Sequence, residues 1–207
     1  MKGLLLKDWY MAKKYCRAHL FIVVLFLVIG FIDGTNMFLL TYPCIFIATI
    51  PTVLLSYDER CRWNEYCGTL PCPKKQIVSE KYLVGLIVTI PLIIITAVIF
   101  GIRANMEGNF DFGETLEIVS VLIIVTALMM SVTMPFMIKL GVEKGRIAYY
   151  VMVGLATALA VIAPNLIGTD MQKEVNFSFA PAAIVLAVVI YAASWYLSVK
   201  FYENREV

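Results

Sequence analysis

Six long stretches of the chain contain no charged residue, and they constrain the fold more than any other feature. Five of them run for 21 to 25 residues. A helix of about 20 residues crosses the apolar core of a bilayer. Only 15% of the chain is charged, against about a quarter in soluble domains. We therefore predict an all-α integral membrane protein with a single transmembrane domain of about six helices. The predicted helices cover residues 18–32, 37–57, 82–102, 115–138, 147–167 and 178–199.

The first stretch is the shortest, because residues 18–32 give only 15 positions. They can span the membrane if Arg17 extends to the headgroups and the bilayer thins, or they can enter and return. The short link to the second stretch makes the two a hairpin in either case. No cleavage site for a signal peptide follows the stretch, so we expect it to be retained.

The basic residues are divided unequally between the loops. One set of loops consists of the N-terminus, residues 58–81, residues 139–146 and the C-terminus, and it holds 15 of the 17 lysines and arginines. The other set holds 2 basic and 7 acidic residues. Because lysine and arginine are retained in the cytoplasm during insertion, we predict a multi-pass protein of the cell membrane with both termini cytoplasmic.

The sequence offers little that could support catalysis. Its one histidine, His19, lies at a predicted membrane edge. Residues 141–146 (GVEKGR) lack the spacing of a phosphate-binding loop and its lysine before a hydroxyl. Cys61, Cys67 and Cys72 do not have the spacing of zinc ligands. We expect no enzymatic activity, cofactor or metal site in this chain, and no nucleic-acid partner. The uncharged stretches also lack the ionisable groups that ion-coupled transporters place in the membrane, so any transport must be driven from elsewhere.

The longest predicted cytoplasmic loop contains a helix signal. Ser56 and Glu59 have the spacing of a capping box, and Gly68 followed by Pro71 is a stop signal. These signals predict a helix over residues 58–68. Its aromatic side chains, bounded by charges, are suited to docking in a groove of a partner protein; the alternative is an interfacial helix with aromatics among lipid headgroups. The candidate docking residues are Asp58, Glu59, Arg62, Trp63, Glu65 and Tyr66.

The first seventeen residues are a second amphipathic candidate. Five basic residues fall within one arc of a helical wheel, and apolar residues fill the other. Such a helix lies flat on an anionic membrane surface. Asp8 falls in the middle of the apolar arc, so we predict that it contacts another segment of protein. The candidate residues of this interfacial helix are Leu5, Asp8 and Trp9.

Two segments resemble small bacterial ABC-2 type transporter permeases. The first is the opening MKGLLLKDW, residues 1–9. The second is the loop between the second and third predicted helices, which is the most specific part of the resemblance. Its matching positions are Asp58-Glu59-Arg60, Trp63, Tyr66, Thr69-Leu70-Pro71, Ile77-Val78 and Lys81-Tyr82. Chain length, helix count and loop plan agree as well.

The resemblance implies a function and an assembly. In the family, the N-terminal stretch (here residues 1–17) is an interfacial elbow helix, and the loop (here residues 58–68) carries a coupling helix that docks on the ATPase. The resemblance implies a permease dimer, with an identical or paralogous second copy, and separate ABC ATPase subunits that bind ATP. Some relatives are linked to the export of phenol-soluble modulins, so we expect export of an amphipathic or apolar substrate such as a peptide. The alternative is a non-transporting membrane scaffold or sensor subunit.

Overall fold

The computed structural model describes residues 2–33, 37–67, 73–106, 108, 112–147, 149–151, 154 and 180–204. Within these residues the regular elements are all α-helices. A short helical segment also covers residues 142–147. The helices are α1 (Lys2–Tyr15), α2 (Arg17–Asp33), α3 (Met37–Ile47), α4 (Ile50–Arg60), α5 (Trp63–Cys67), α6 (Lys74–Met106), α7 (Phe112–Leu140) and α8 (Ala180–Glu203).

Three helices are long and apolar enough to cross a membrane. They are α6, residues Thr115–Leu140 of α7 and residues Ile184–Glu203 of α8. They coincide with three of the predicted spans. A fourth span is obtained if α1 and α2, which are bent by 67° relative to each other, are counted together. The predicted span over residues 147–167 lies largely outside the described residues, so the count of six stays a prediction.

The hydrophobic stretch over residues 37–57 is a broken helix. Helix α3 ends at Ile47, and α4 starts at Ile50 with Pro51 in its first turn. Because proline has no N–H and clashes with the preceding turn, it favours such a break. Two threonines bond to carbonyls at the break: Thr49 Oγ1 donates to the Phe46 carbonyl at 2.7 Å, and Thr52 Oγ1 donates to the Thr49 carbonyl at 2.6 Å. The backbone thereby keeps partners within an apolar region.

Helix α6 is the central element of the described fold. Its 33 residues span about 50 Å, more than the apolar core of about 30 Å. The uncharged residues 82–102 are long enough to fill that core, so we expect residues 74–81 to extend beyond it. The exposed side chains of Ile87, Ile90, Ile94 and Val98 form an apolar stripe along one side of α6, as expected for a lipid-facing helix.

Two apolar cores meet at α6. The first joins α1, α2, α3 and α4 to α6 and α7, with Cys44, Leu54 and Leu122 at its centre. The second joins α5, α6, α7 and α8 around Met134 and Ile138. Helix α1, α5, residues 74–81 of α6 and residues 139–147 all lie at one end of the molecule, which we call the basic end.

Candidate functional site

Five charged side chains form a cluster at the basic end, which we call the ion cluster. Lys7 and Asp8 come from α1, Asp58 from α4, and Glu80 and Lys81 from α6. The ammonium of Lys81 lies 2.6 Å from Asp8 Oδ2 and 2.6 Å from Asp58 Oδ2. The ammonium of Lys7 lies 2.8 Å from Asp58 Oδ1 and 3.1 Å from Asp8 Oδ1. The two lysines and two aspartates therefore form a closed ring that joins three helices.

Most of the ion cluster is withdrawn from solvent. Asp8, Asp58, Glu80 and Lys81 are between 0% and 3% exposed, while Lys7 is 20% exposed. Burial by itself lowers the pKa of Lys81, because it disfavours the charged form. The carboxylates of Asp8 and Asp58 raise this pKa by more, so the pKa of Lys81 lies above its ordinary value. The ring therefore satisfies the condition under which buried ions persist, which is that each ion has close partners of opposite charge.

Glu80 differs from the other members of the ion cluster. Among the described residues, no donor hydrogen-bonds either of its carboxyl oxygens. Burial raises the pKa of Glu80 to about 7; Lys81 opposes the rise, and the adjacent Asp8 carboxyl adds to it. Because the Asp8 carboxylate is itself an acceptor, a hydrogen bond between the two groups requires a proton on one of them.

The ion cluster confirms one prediction and reveals what the sequence did not indicate. Asp8 was expected to contact another protein segment, and it contacts Lys81 of α6. Nothing in the sequence indicated that Asp58 faces inward. The one available signal for Glu80 and Lys81 was their position directly before an uncharged stretch, a position that is also usual for residues at a headgroup surface.

The helix predicted over residues 58–68 is wrong as a single element. Helix α4 continues past the predicted boundary to Arg60, and a turn at Cys61 and Arg62 separates it from the short α5. Arg62 adopts a φ of 52°, which a helix interior does not accommodate. Ser56 lies inside α4, so the predicted capping box does not form. Gly68 lies outside the described residues.

Glu59, in the last turn of α4, bonds to the loop after α7 at the basic end. Its Oε2 accepts a hydrogen bond of 2.7 Å from the backbone N–H of Val142, at the start of the helical segment 142–147. The preceding Gly141 has a φ of 81°, and a Cβ there would lie 2.9 Å from Glu59 Oε1. Both the backbone angle and the close contact explain why glycine occupies this position. The end of α4 and the loop after α7 are thus tied together.

The sequence model of a known family matches almost the entire chain. The family is described as ABC-2 family transporter protein, and the match covers residues 3–203. The chain belongs to this family. No curated protein and no solved structure matches it significantly. Membership of this family supports a role as the membrane component of an ABC transporter. Such components are generally not catalytic themselves and work with ABC ATPase subunits.

The predicted docking residues of this ABC-2 permease lie in different environments. Trp63 is half-buried against the second core, and the Lys7 ammonium lies 4.3 Å from its ring centroid. Tyr66, whose ring lies 5.4 Å from that of Trp63, is 59% exposed, and Arg62 is also exposed. The side chain of Glu65 lies outside the described residues. Docking on an ATPase at these positions stays a prediction.

The predicted interfacial residues of the permease lie along α1. Leu5 packs against the first core, whereas Trp9 is 59% exposed. Both line a shallow apolar groove of about 350 Å³ between α1 and α6. Asp8 lies on the buried side of the same helix. Helix α1 therefore has two different faces: the buried face carries the charge of Asp8, and the face that lines the groove is mainly apolar.

A second polar cluster, the hydroxyl cluster, joins α6 of the permease to α7 and α8. Ser194 Oγ donates to the Ser131 carbonyl at 2.7 Å. Because that bond uses its only proton, Ser194 accepts from the Tyr82 hydroxyl, at 2.7 Å. Tyr82 in turn accepts from Ser198, at 2.8 Å. The Tyr191 hydroxyl donates to the Tyr82 carbonyl at 3.0 Å. Every one of these contacts is neutral.

Metal ligands are not grouped in the described part of the permease. There, no set of three or more His, Cys, Asp or Glu side chains is arranged to hold a metal ion. Two of the three carboxyls of the ion cluster, those of Asp8 and Asp58, are instead paired with lysines. The expectation that the chain has no metal or cofactor site stays a prediction.

Proposed function

We propose that this ABC-2 permease is the transmembrane subunit of an exporter for amphipathic or apolar substrates such as peptides, driven by separate ATP-hydrolysing subunits. It acts in the cell membrane as a dimer with an identical or paralogous copy. Its basic end, with both termini, faces the cytoplasm. Family membership supports the transporter role, and the distribution of lysine and arginine supports the orientation.

The observation that carries the proposal is the way the loop after α4 is fixed to the rest of the chain. Asp58 and Glu59 lie in the last turn of α4, directly before this loop. Asp58 joins that turn to α1 and α6, and Glu59 joins it to residue 142. Arg62 and Tyr66 stay exposed within the same loop. An ATPase that binds these two side chains and moves the loop therefore displaces three helices together. Such a connection is what coupling of hydrolysis to transport requires.

A cavity supports the proposed class of substrate. In the described part of the chain, about 360 Å³ of space lies between α3, α4, α7 and the residues Arg146, Tyr149 and Tyr150. Its lining is mainly apolar, with Phe46 and Met129, and it includes the hydroxyls of Tyr42 and Thr133. Arg146 also lines it. A mixed lining of this kind suits one side chain of an amphipathic peptide better than an ion.

The test is to co-express the chain with an ATPase subunit that carries Walker motifs and to reconstitute the complex in vesicles. Tyr66→Ala should weaken ATPase binding about thirtyfold, because buried aromatic anchors commonly contribute about 2 kcal/mol. Tyr10→Ala is the matched control, since Tyr10 is 64% exposed on α1 at the same end. ATP-dependent movement of a labelled amphipathic peptide across the vesicle membrane should fall with Tyr66→Ala and not with Tyr10→Ala.

Two results would count against the proposal in different ways. Normal ATPase binding and transport by both Tyr66→Ala and Arg62→Ala would refute the docking role and favour a headgroup anchor. ATPase binding without any ATP-dependent peptide movement would favour the alternative, a non-transporting scaffold or sensor subunit.

A further inference from the structure

The ion cluster has an odd number of charges. It contains three carboxyl groups and two lysine side chains, so it has a net charge of −1 if every group is ionised. Four of the five groups are almost completely buried. A net charge that is withdrawn from water is costly, and the binding of one proton removes it.

The geometry identifies the carboxyl that holds this proton. Asp8 and Asp58 each contact both lysine ammonium groups at 2.6 to 3.1 Å. Glu80 forms no such ion pair with the described residues, and its carboxyl meets that of Asp8. A neutral Glu80 can donate to the Asp8 carboxylate, whereas an ionised Glu80 would repel it. The proton therefore belongs on Glu80.

We propose that Glu80 is a proton-binding site that latches α1 to α4 and α6. With the proton bound, Glu80 donates to Asp8 and the cluster is neutral, so α1 stays docked. When the proton leaves, two adjacent carboxylates share one buried site, and α1 is loosened. The charged groups that take part are Lys7 and Asp8 of α1, Asp58 of α4 and Lys81 of α6 itself. From the other side of α6, the Tyr82 hydroxyl bonds to α8 and contributes no charge.

The direction of the effect follows from proton linkage. Docked Glu80 binds its proton more tightly than exposed Glu80, so docking is favoured at low pH and weakened as the pH rises through about 7. With that value and the ordinary value of 4.5, the opening equilibrium of α1 increases about tenfold between about pH 6 and about pH 8. The effect is a property of this chain and does not require the ATPase.

The experiment is amide hydrogen–deuterium exchange of the full chain in lipid nanodiscs at these two pH values. After correction for the intrinsic pH dependence of exchange, the protection of residues 2–15 should fall about tenfold in the unaltered chain. Glu80→Gln keeps the shape of the neutral carboxyl and should abolish the fall. Glu203→Gln, which removes an exposed carboxyl from the end of α8, should leave the fall unchanged. Equal protection of α1 at both pH values, or an undiminished fall in Glu80→Gln, would overturn the latch.

A second measurement reports the proton directly and does not require a variant that folds. The infrared difference spectrum of the unaltered chain between the same two pH values should show loss of the carbonyl stretch of a protonated carboxylic acid. In Glu80→Gln this band should be missing. An unaltered chain that shows no such band would refute protonation of Glu80, whatever the exchange data show.

Discussion

One turn of α6 faces two polar clusters of opposite kinds. Ser79 and Tyr82 are three residues apart and therefore lie on one side of the helix, where they bond to α8. The indole N–H of Trp195 donates to Ser79 Oγ at 3.0 Å. The Tyr82 hydroxyl bonds to Ser194 and Ser198. Glu80 and Lys81, on the other side, belong to the ion cluster with α1 and α4. The same four positions thus join α6 to one group of helices by neutral hydrogen bonds and to the other group by ions.

This difference determines how each of the two helix junctions, the hydroxyl cluster and the ion cluster, responds to a substitution or to a change in pH. In the hydroxyl cluster every proton has an acceptor, so the loss of one group removes a hydrogen bond of modest net value. In the ion cluster each charge is tolerated because its counter-charges are present, so the loss of one group leaves a buried ion without compensation. On the proposal made above, Glu80 also makes the ion cluster sensitive to pH, whereas the hydroxyl cluster contains no group that ordinarily changes charge near neutral pH.

The largest expected effect comes from Lys81→Met, which removes the cation that contacts Asp8 and Asp58. The two buried aspartates would then share Lys7 alone, and the free energy of unfolding should fall by about 3–5 kcal/mol. Unfolding in mixed micelles measures this change. Lys75→Met is the control: Lys75 is exposed on the same helix, 5.1 Å from the Trp195 ring centroid, and should cost about 1 kcal/mol or less. Equal losses in the two variants would remove the basis for treating the ion cluster as a special junction.

A smaller effect is expected from Tyr82→Phe on the opposite side of α6. The variant removes the hydroxyl between Ser194 and Ser198, and it should cost about 1–2 kcal/mol, since hydrogen bonds between membrane helices are individually modest. Tyr191→Phe, which removes a single bond to the Tyr82 carbonyl, should cost about half as much. If Tyr82→Phe were as destabilising as Lys81→Met, the contrast between the ionic and neutral junctions would be incorrect.

The smallest expected effect is the difference between two glycine variants, and it tests the link that Glu59 adds on the ionic side. Gly141 and Gly108 have similar φ values of 81° and 75°, but a Cβ at Gly108 meets nothing within 4 Å, whereas one at Gly141 meets Glu59. Alanine at either position carries the strain of a left-handed conformation, about 1–2 kcal/mol. Gly141→Ala should cost about 1 kcal/mol more than Gly108→Ala because it also disturbs the bond from Glu59 to Val142. Equal unfolding free energies would show that this link contributes nothing to stability.

Several parts of the fold could be predicted from local sequence. The uncharged stretches over residues 82–102 and 118–138 lie within α6 and α7, because the length of an apolar stretch is a local property that a bilayer selects. The break between α3 and α4 also had a local cause in Pro51. Asp8 was recognisable as a residue in need of a contact because a carboxylate on an apolar helix face is energetically unfavourable unless it is compensated.

The end of α4 and the loop after it could not be predicted correctly from local sequence. The spacing of Ser56 and Glu59 satisfies the capping-box pattern, yet α4 continues through both residues, and Glu59 bonds to Val142 instead. Asp58 had the appearance of a surface charge suited to docking, but it is 3% exposed. Both errors have one physical cause, since a local pattern fixes how far apart two residues are along a helix but not which distant segment approaches them.

The sequence by itself determined that the chain belongs in a membrane, that the uncharged residues 82–102 and 118–138 are long enough to span it as helices, and that Asp8 needs a contact. These are consequences of composition and of spacing within one segment. Only the tertiary structure decided that Lys81, 73 residues from Asp8 along the chain, supplies that contact, and that Glu80 lies beside Asp8 without an ion pair to any of the described residues. The pairing of ions depends on which helices pack together, and packing depends on the shapes of all the apolar surfaces at once. For that reason the charges could be counted from the sequence, but which charges are paired could not. The proposed protonation of Glu80 depends on that pairing, so it follows only from the folded chain.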